Sequence, residues 1–166
     1  RVLYGYVKVV AIANWLVFNR ALFVDTGGWA PAAITLFECL QYGLYLYFAF
    51  AGFSDIAIGL ARLLGYRIGE NFDWPFLQRN IGDFWRRWHI SFSNWLRDYI
   101  YFPLGGSRGS RPRTYMNLML TLLFGGLWHG AAWRFILWGF VHGVALVLYK
   151  ATLDIRRDLG HDLKAR

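Results

Sequence analysis

Hydrophobic runs separated by short basic stretches set the rhythm of this chain. Residues 1–18 form an apolar run with Lys8 and Asn14 inside it, which suits a helix that either crosses a membrane or lies on it. Residues 19–30 contain Asp25, Gly27 and Gly28 and read as a loop. The run over 31–53 is the clearest span. Pro31 suits a first helical turn, and about 20 apolar residues suffice to cross the hydrocarbon layer. Its polar members, Glu38 and Gln41, are costly against lipid and are expected to face protein or water, in a structural hydrogen bond before a functional one. Residues 54–66, with Asp55 and Arg62, read as a short interfacial helix, and 67–79 as a loop around Gly69, Asn71, Asp73 and Pro75.

Residues 81–101 predict one amphipathic helix. Asn80 caps it, and Asp83 suits its positively polarised first turn. At about 100° per residue, Asp83, Arg86, Arg87, Ser91, Asn94, Arg97 and Asp98 share one arc, and Trp85, Trp88, Phe92, Trp95, Leu96 and Tyr99 the other. His89 falls on the aromatic side. So polar a helix belongs in the interface or dips in against other helices. A Gly-, Pro- and Arg-rich loop over 102–113 follows, then apolar runs over 114–127 and 131–150 flanking Trp128, His129 and Gly130, and a charged tail from 151.

Composition makes these runs membrane segments. Apolar residues reach 57% and aromatics 20%, with only 17% charged. A soluble domain of 166 residues has too little interior for so many rings. Net charge is +8, yet the basic residues lie between apolar runs, a pattern of membrane loops and not of nucleic-acid binding. Nine arginines lie between 62 and 113 against four acids, and the tail adds Arg156, Arg157, Lys164 and Arg166. Two crossings separate these regions, so both are expected in the cytoplasm. His129 then marks the far turn of a hairpin. An arm of 14 residues covers about 21 Å of a layer about 30 Å thick, so the ring is expected to stop inside the membrane. The opening Arg1-Val2-Leu3-Tyr4-Gly5 lacks a Met or a polar lead-in and reads as the continuation of a longer protein.

His129, in "GGLWHGAAW", is the leading chemical candidate. Gly125, Gly126 and Gly130 are expected to loosen the helix there. A neutral imidazole can take a hydroxyl proton and return it near neutral pH. A histidine hydrogen-bonded to a neighbouring helix fits the residues equally well. His89 reads first as a packing histidine and second as a ligand or base. His142, about 20 Å along the axis from His129 if 131–150 is one helix, reads as structural, and His161 as solvated. The single cysteine, Cys39, reads as a small packing residue. No cysteine pair or i, i+4 histidine pair suggests a metal, and neither a GxSxG elbow nor a GxxxxGK loop occurs. "LGGSRGSR" reads as a cytoplasmic loop, with anion binding through its N–H groups as the second reading.

The runs "GFSDIAIGLARLLGY", "ENFDWPFLQRNIGDFWRRWHISFSNWLRDYIYFPLGGSR" and "GGLWHGAAW" resemble the membrane-bound O-acyltransferase (MBOAT) family over roughly 45–150. Within it they look most like the alginate O-acetyltransferase type, with the teichoic acid D-alanyl transferases next; "YFPLGGSRG" favours the acetylase branch. The resemblance implies an all-α, multi-pass transmembrane protein of the bacterial inner membrane with interfacial or re-entrant helices, of which this chain is a C-terminal fragment. It implies that His129, of "WHG", is catalytic and that His89, of "RRWHIS", is the second active-site histidine. Trp85, Arg86, Arg87, Trp88 and Trp128 are the implied substrate-binding positions. The implied donor is a cytoplasmic thioester, acyl-CoA or an acyl carrier protein, with no bound cofactor. The implied acceptor is a hydroxyl on an exported polysaccharide or on an SGNH-type periplasmic relay protein. Two other classes stay open on the residues alone: a transporter, and a scaffold that docks other subunits.

Overall fold

In an apolar environment backbone N–H and C=O groups must pair within the segment, so long apolar runs become helices. The computed structural model describes residues 1–18 and 31–164, with side chains through 160, and among these residues it is helical without a strand. The expected loop at 19–30 and the His161 side chain lie outside the described residues. The chain divides into two compact units, Arg1–Asn71 and Phe72–Arg166.

In the first unit, α1 (Val2–Phe18) packs on α2 (Pro31–Leu63). α1 widens to a π-helix over Val7–Ala13. The two helices approach through glycine: a Cβ on Gly5 would stand 2.5 Å from the Gly52 carbonyl oxygen. Gln41 does face protein, donating to the Leu16 carbonyl. Asp55 is 4% exposed and holds Lys8 Nζ at 2.7 Å and Arg1 Nε at 2.8 Å; Arg1 also pairs with Glu70. These bonds explain a departure from the sequence reading. No separate interfacial helix begins at 54, because Asp55 is satisfied from α1 and does not interrupt the ladder. α2 runs on to Leu63 and stops where Gly65 takes φ +85°. Cys39 is exposed on α2, not packed.

In the second unit the expected single helix over 81–101 is broken. α3 (Ile81–Arg87) ends at Trp88, which is extended. His89 takes φ +44°, and α4 (Ile90–Leu96) begins after it and widens to a π-helix over Arg97–Tyr101. Asn80 caps α3 as the sequence suggests, accepting from the Asp83 N–H at 2.8 Å and donating to its carboxylate at 2.7 Å. The left-handed residue turns α4 relative to α3, so the aromatic arc does not stay on one side: Trp85, Phe92 and Leu96 are buried, while Trp95 and Tyr99 are 40% and 66% exposed.

α5 (Arg111–His129) and α6 (Trp133–Lys164) form an antiparallel hairpin. α5 starts three residues before the apolar run, with Ser110 as N-cap and Pro112 in its first turn. The polar tail is also helical, as part of α6, because Arg111 pairs with Asp158 at 2.6 Å and Asp154, 3% exposed, binds Lys150 and the Tyr115 hydroxyl. Pro31–Leu63 and Trp133–Gly160 are the two helices among the described residues long and apolar enough to cross a membrane. α5 is less apolar, but its polar Thr114, Asn117 and Thr121 are buried against protein. Asn117 donates to the carbonyls of Leu104 and Gly106, at 3.1 and 2.9 Å, so part of the Gly-rich turn is held by its own helix.

Gly125 and Gly126 do not loosen α5. Both are buried inside a continuous helix. A Cβ on Gly126 would collide with the Phe135 carbonyl oxygen, and one on Gly139 with the Leu122 carbonyl oxygen. These positions let the two backbones approach, as small residues do between membrane helices. Gly126→Ala is therefore expected to cost about 1–3 kcal/mol, because the obstructing atom is backbone and cannot rotate away. Thermal unfolding of the purified protein in detergent would register this as a lower midpoint.

Candidate active site

Gly130, with φ +153°, ends α5 directly after His129. The Ala132 N–H bonds back to the Gly130 carbonyl at 2.9 Å, and α6 starts at Trp133. This reversal brings the start of α6 alongside His129. The His129 ring lies 5.3 Å from Trp138 (edge to face), 6.0 Å from Phe135 and 5.1 Å from Trp128. Phe92 of α4 completes the wall at 5.9 Å. His129 itself is exposed at the surface of the chain.

The break in 81–101 delivers His89 to the same cluster. Its ring lies 5.1 Å from Phe92 and 6.5 Å from Phe72. Phe92 is thus shared by His89 and His129. A non-glycine residue in the left-handed region costs on the order of 1–2 kcal/mol. Here Ser93 helps to hold it, with its N–H on the His89 carbonyl at 2.9 Å and its hydroxyl on the Trp88 carbonyl at 2.9 Å. Burial, and then the field of His129, lower the His89 pKa to about 4. His89 is therefore neutral at pH 7. Because its folded value lies below the usual one, its influence on stability is unchanged above about pH 6.5 and turns unfavourable as pH falls toward 4.

His142 departs furthest from the sequence reading. Counting 13 residues along one helix put it about 20 Å from His129. The turn instead lays His129 beside Phe135 and Trp138 of α6, and Trp138 touches both histidine rings, at 5.3 Å and 4.7 Å. The two histidine rings are thus no more than about 10 Å apart. His142 also packs on Trp85 at 5.2 Å and on Phe84 at 6.5 Å. The turn at His129 is expected from sequence; what the count misses is that the ring folds back beside α6, against Phe135 and Trp138, inside the start of that helix.

The implied substrate-binding residues fall in several settings. Trp85 is buried between Trp138 and His142. Arg86 is exposed and pairs with Asp83 at 2.7 Å. Arg87 is half-buried and pairs with Asp73. Trp88 stacks on Phe84 at 5.6 Å. Trp128 lies 4.4 Å from Phe92 and is 56% exposed. Trp85, Arg86, Arg97, Lys150, Tyr149 and Leu122 are among the residues lining a cavity of about 380 Å³ beside the cluster.

The described residues are all-helical, with two helices long and apolar enough to cross a membrane and a histidine at a glycine-ended reversal, as a membrane protein would have. The comparisons make the class specific. The model of the membrane-bound O-acyltransferase family matches residues 2–161, and the chain belongs to that family. It is 48% identical over 157 residues to a protein of Azotobacter vinelandii described as a probable alginate O-acetylase AlgI, covering 91% of this chain and 30% of that protein. It is 42% identical over 151 residues to the peptidoglycan O-acetyltransferase of Helicobacter pylori, covering 89% and 28%. It is 33% identical over 137 residues to the teichoic acid D-alanyltransferase of Streptococcus thermophilus, covering 78% and 33%. The chain thus spans about a third or less of the relatives it matches.

Proposed function

We propose that this chain carries the histidine site of a membrane-embedded O-acyltransferase, moving an acetyl group from a cytoplasmic thioester to a hydroxyl of an exported polysaccharide or of a relay protein. The observation that carries the reading is the meeting of His129 and His89 on one aromatic ring, Phe92, with His129 exposed. The higher identity to the acetylating relatives favours acetyl over D-alanyl.

In this mechanism neutral His129 accepts the acceptor's O–H proton while its oxygen attacks the thioester carbonyl carbon. The tetrahedral adduct collapses, the C–S bond breaks, and the departing thiolate takes the proton from His129. The ester and a free thiol are the products. Such proton transfer typically contributes about 10²–10⁴-fold. His89, held neutral beside it, orients the donor or offers an N–H to the developing oxyanion. Trp85, Trp88 and Trp128 serve as apolar walls, and Arg86 and Arg87 attract the phosphates of acyl-CoA or of an acyl carrier's pantetheine arm. A bacterial inner-membrane site, with the basic segments in the cytoplasm, puts the donor on the correct side.

The test is label transfer. The full-length protein in vesicles, given an isotopically labelled acetyl thioester and polysaccharide, is expected to place label on the polysaccharide in alkali-labile ester linkage. Label arriving from a D-alanyl thioester alone would redirect the reading to D-alanyl transfer. No label from either donor would end it.

A further inference from the structure

Trp85 Nε1 is buried and has no hydrogen-bond partner. An indole N–H left unpaired in the interior costs on the order of 1–3 kcal/mol, so its position calls for a reason. Of Phe84, Trp138 and His142, the rings packed against Trp85, only His142 carries a hydrogen-bond acceptor. The two rings meet edge to face, with centroids 5.2 Å apart and planes at 85°. Among the described residues His142 makes ring contacts and no hydrogen bond or ion pair. A donor without an acceptor thus sits against an acceptor without a donor.

The same histidine reaches the site through one intervening ring. Trp138 packs 4.7 Å from His142 and 5.3 Å, edge-on, from His129. Whatever fixes the tilt of His142 fixes one wall of the His129 seat.

We infer that His142 is a positioning residue for His129: its imidazole accepts the Trp85 N–H in the working state and thereby locks Trp138 against the His129 ring. The inference builds on the acyl transfer proposed above. His142 touches no reacting atom. Its imidazole rotates until one ring nitrogen faces the indole edge, which satisfies the orphaned donor and leaves the second nitrogen, protonated, free. The Trp85–His142–Trp138 stack then acts as a rigid buttress behind the exposed catalytic ring.

The test is a double-mutant cycle in the full-length protein, with kcat and KM measured per molecule inserted in the membrane. His142→Phe keeps the ring and removes the acceptor, and Trp85→Phe removes the donor. Each is expected to lower kcat about tenfold or more, His142→Phe at unchanged KM, as small misplacements of a catalytic group do. The double variant is expected to be no worse than either single one, because both remove the same bond. His142→Gln, which restores an acceptor, is expected to recover most of the loss. Wild-type kcat in His142→Phe, losses that multiply in the double variant, or a His142→Gln variant as slow as His142→Phe would each overturn the inference. Where His142→Phe fails to accumulate, the comparison of Trp85→Phe with His142→Gln decides on the same criteria. Full activity in His129→Ala would remove the proposed function instead, so the two failures are distinguishable.

Discussion

His129→Ala in the full-length protein is expected to reduce acyl transfer by at least about 10²–10⁴-fold, the contribution of a positioned general base. Insertion and thermal stability should change little. The ring is exposed, ends its helix, and touches its neighbours through aromatic contacts alone. Its removal opens no buried cavity, because Gly130 and the hydrogen bonds of 130–136 shape the reversal. The measurement is initial rate of label transfer beside the amount of protein in the membrane. A variant that transfers label at the normal rate would leave the imidazole as a packing group. His129→Gln separates the two roles further, since it keeps a polar side chain without a base near neutral pH.

The second large effect is on stability. Asp55→Ala is expected to destabilise the first unit by about 3–5 kcal/mol, the usual result of removing one partner from a buried charge pair. Asp55 is 4% exposed, and Lys8, whose side chain is 13% exposed, is aimed at it from α1. Without the carboxylate the Lys8 ammonium stays buried without its counter-charge, and Arg1 keeps only Glu70. Asp55→Ala combined with Lys8→Met should recover part of the loss, because it removes the stranded charge as well. Thermal melting in detergent of the two variants checks the sign: a double variant less stable than Asp55→Ala would refute the pairing argument.

Helices were legible wherever a long apolar run met an end signal. Pro31 opens α2, and Asn80 caps α3 with the hydrogen bonds its side chain suggests. What escaped was decided by partners distant in sequence. Asp55 looked like the end of a span because Arg1 and Lys8, 54 and 47 residues away, were not known to reach it. Gly125 and Gly126 looked like breakers because a helix alone loses by having glycine; the gain lies in Phe135 of the next helix. The break at His89 carried no glycine or proline to announce it, so the arc of 81–101 was drawn through a bend. His129 and His89 were named from sequence, and their meeting on Phe92 required that bend. His142 looked remote because the count took His129 as the starting point of the second arm, whereas the turn folds its ring back against Phe135 and Trp138.

The left-handed backbone at residue 89 narrows what that position can hold. Apart from glycine, the side chains that visit this conformation with any frequency are asparagine, aspartate and histidine. Glycine offers no side chain, and the two short polar ones have no ring to lie on Phe72 and Phe92. The fold thus selects its residue twice over, first by the torsion it demands and then by the company it provides. Imidazole alone on this short menu meets both demands while still presenting a nitrogen, so a variant library at this codon would be filtered by backbone geometry before any chemistry is asked of it.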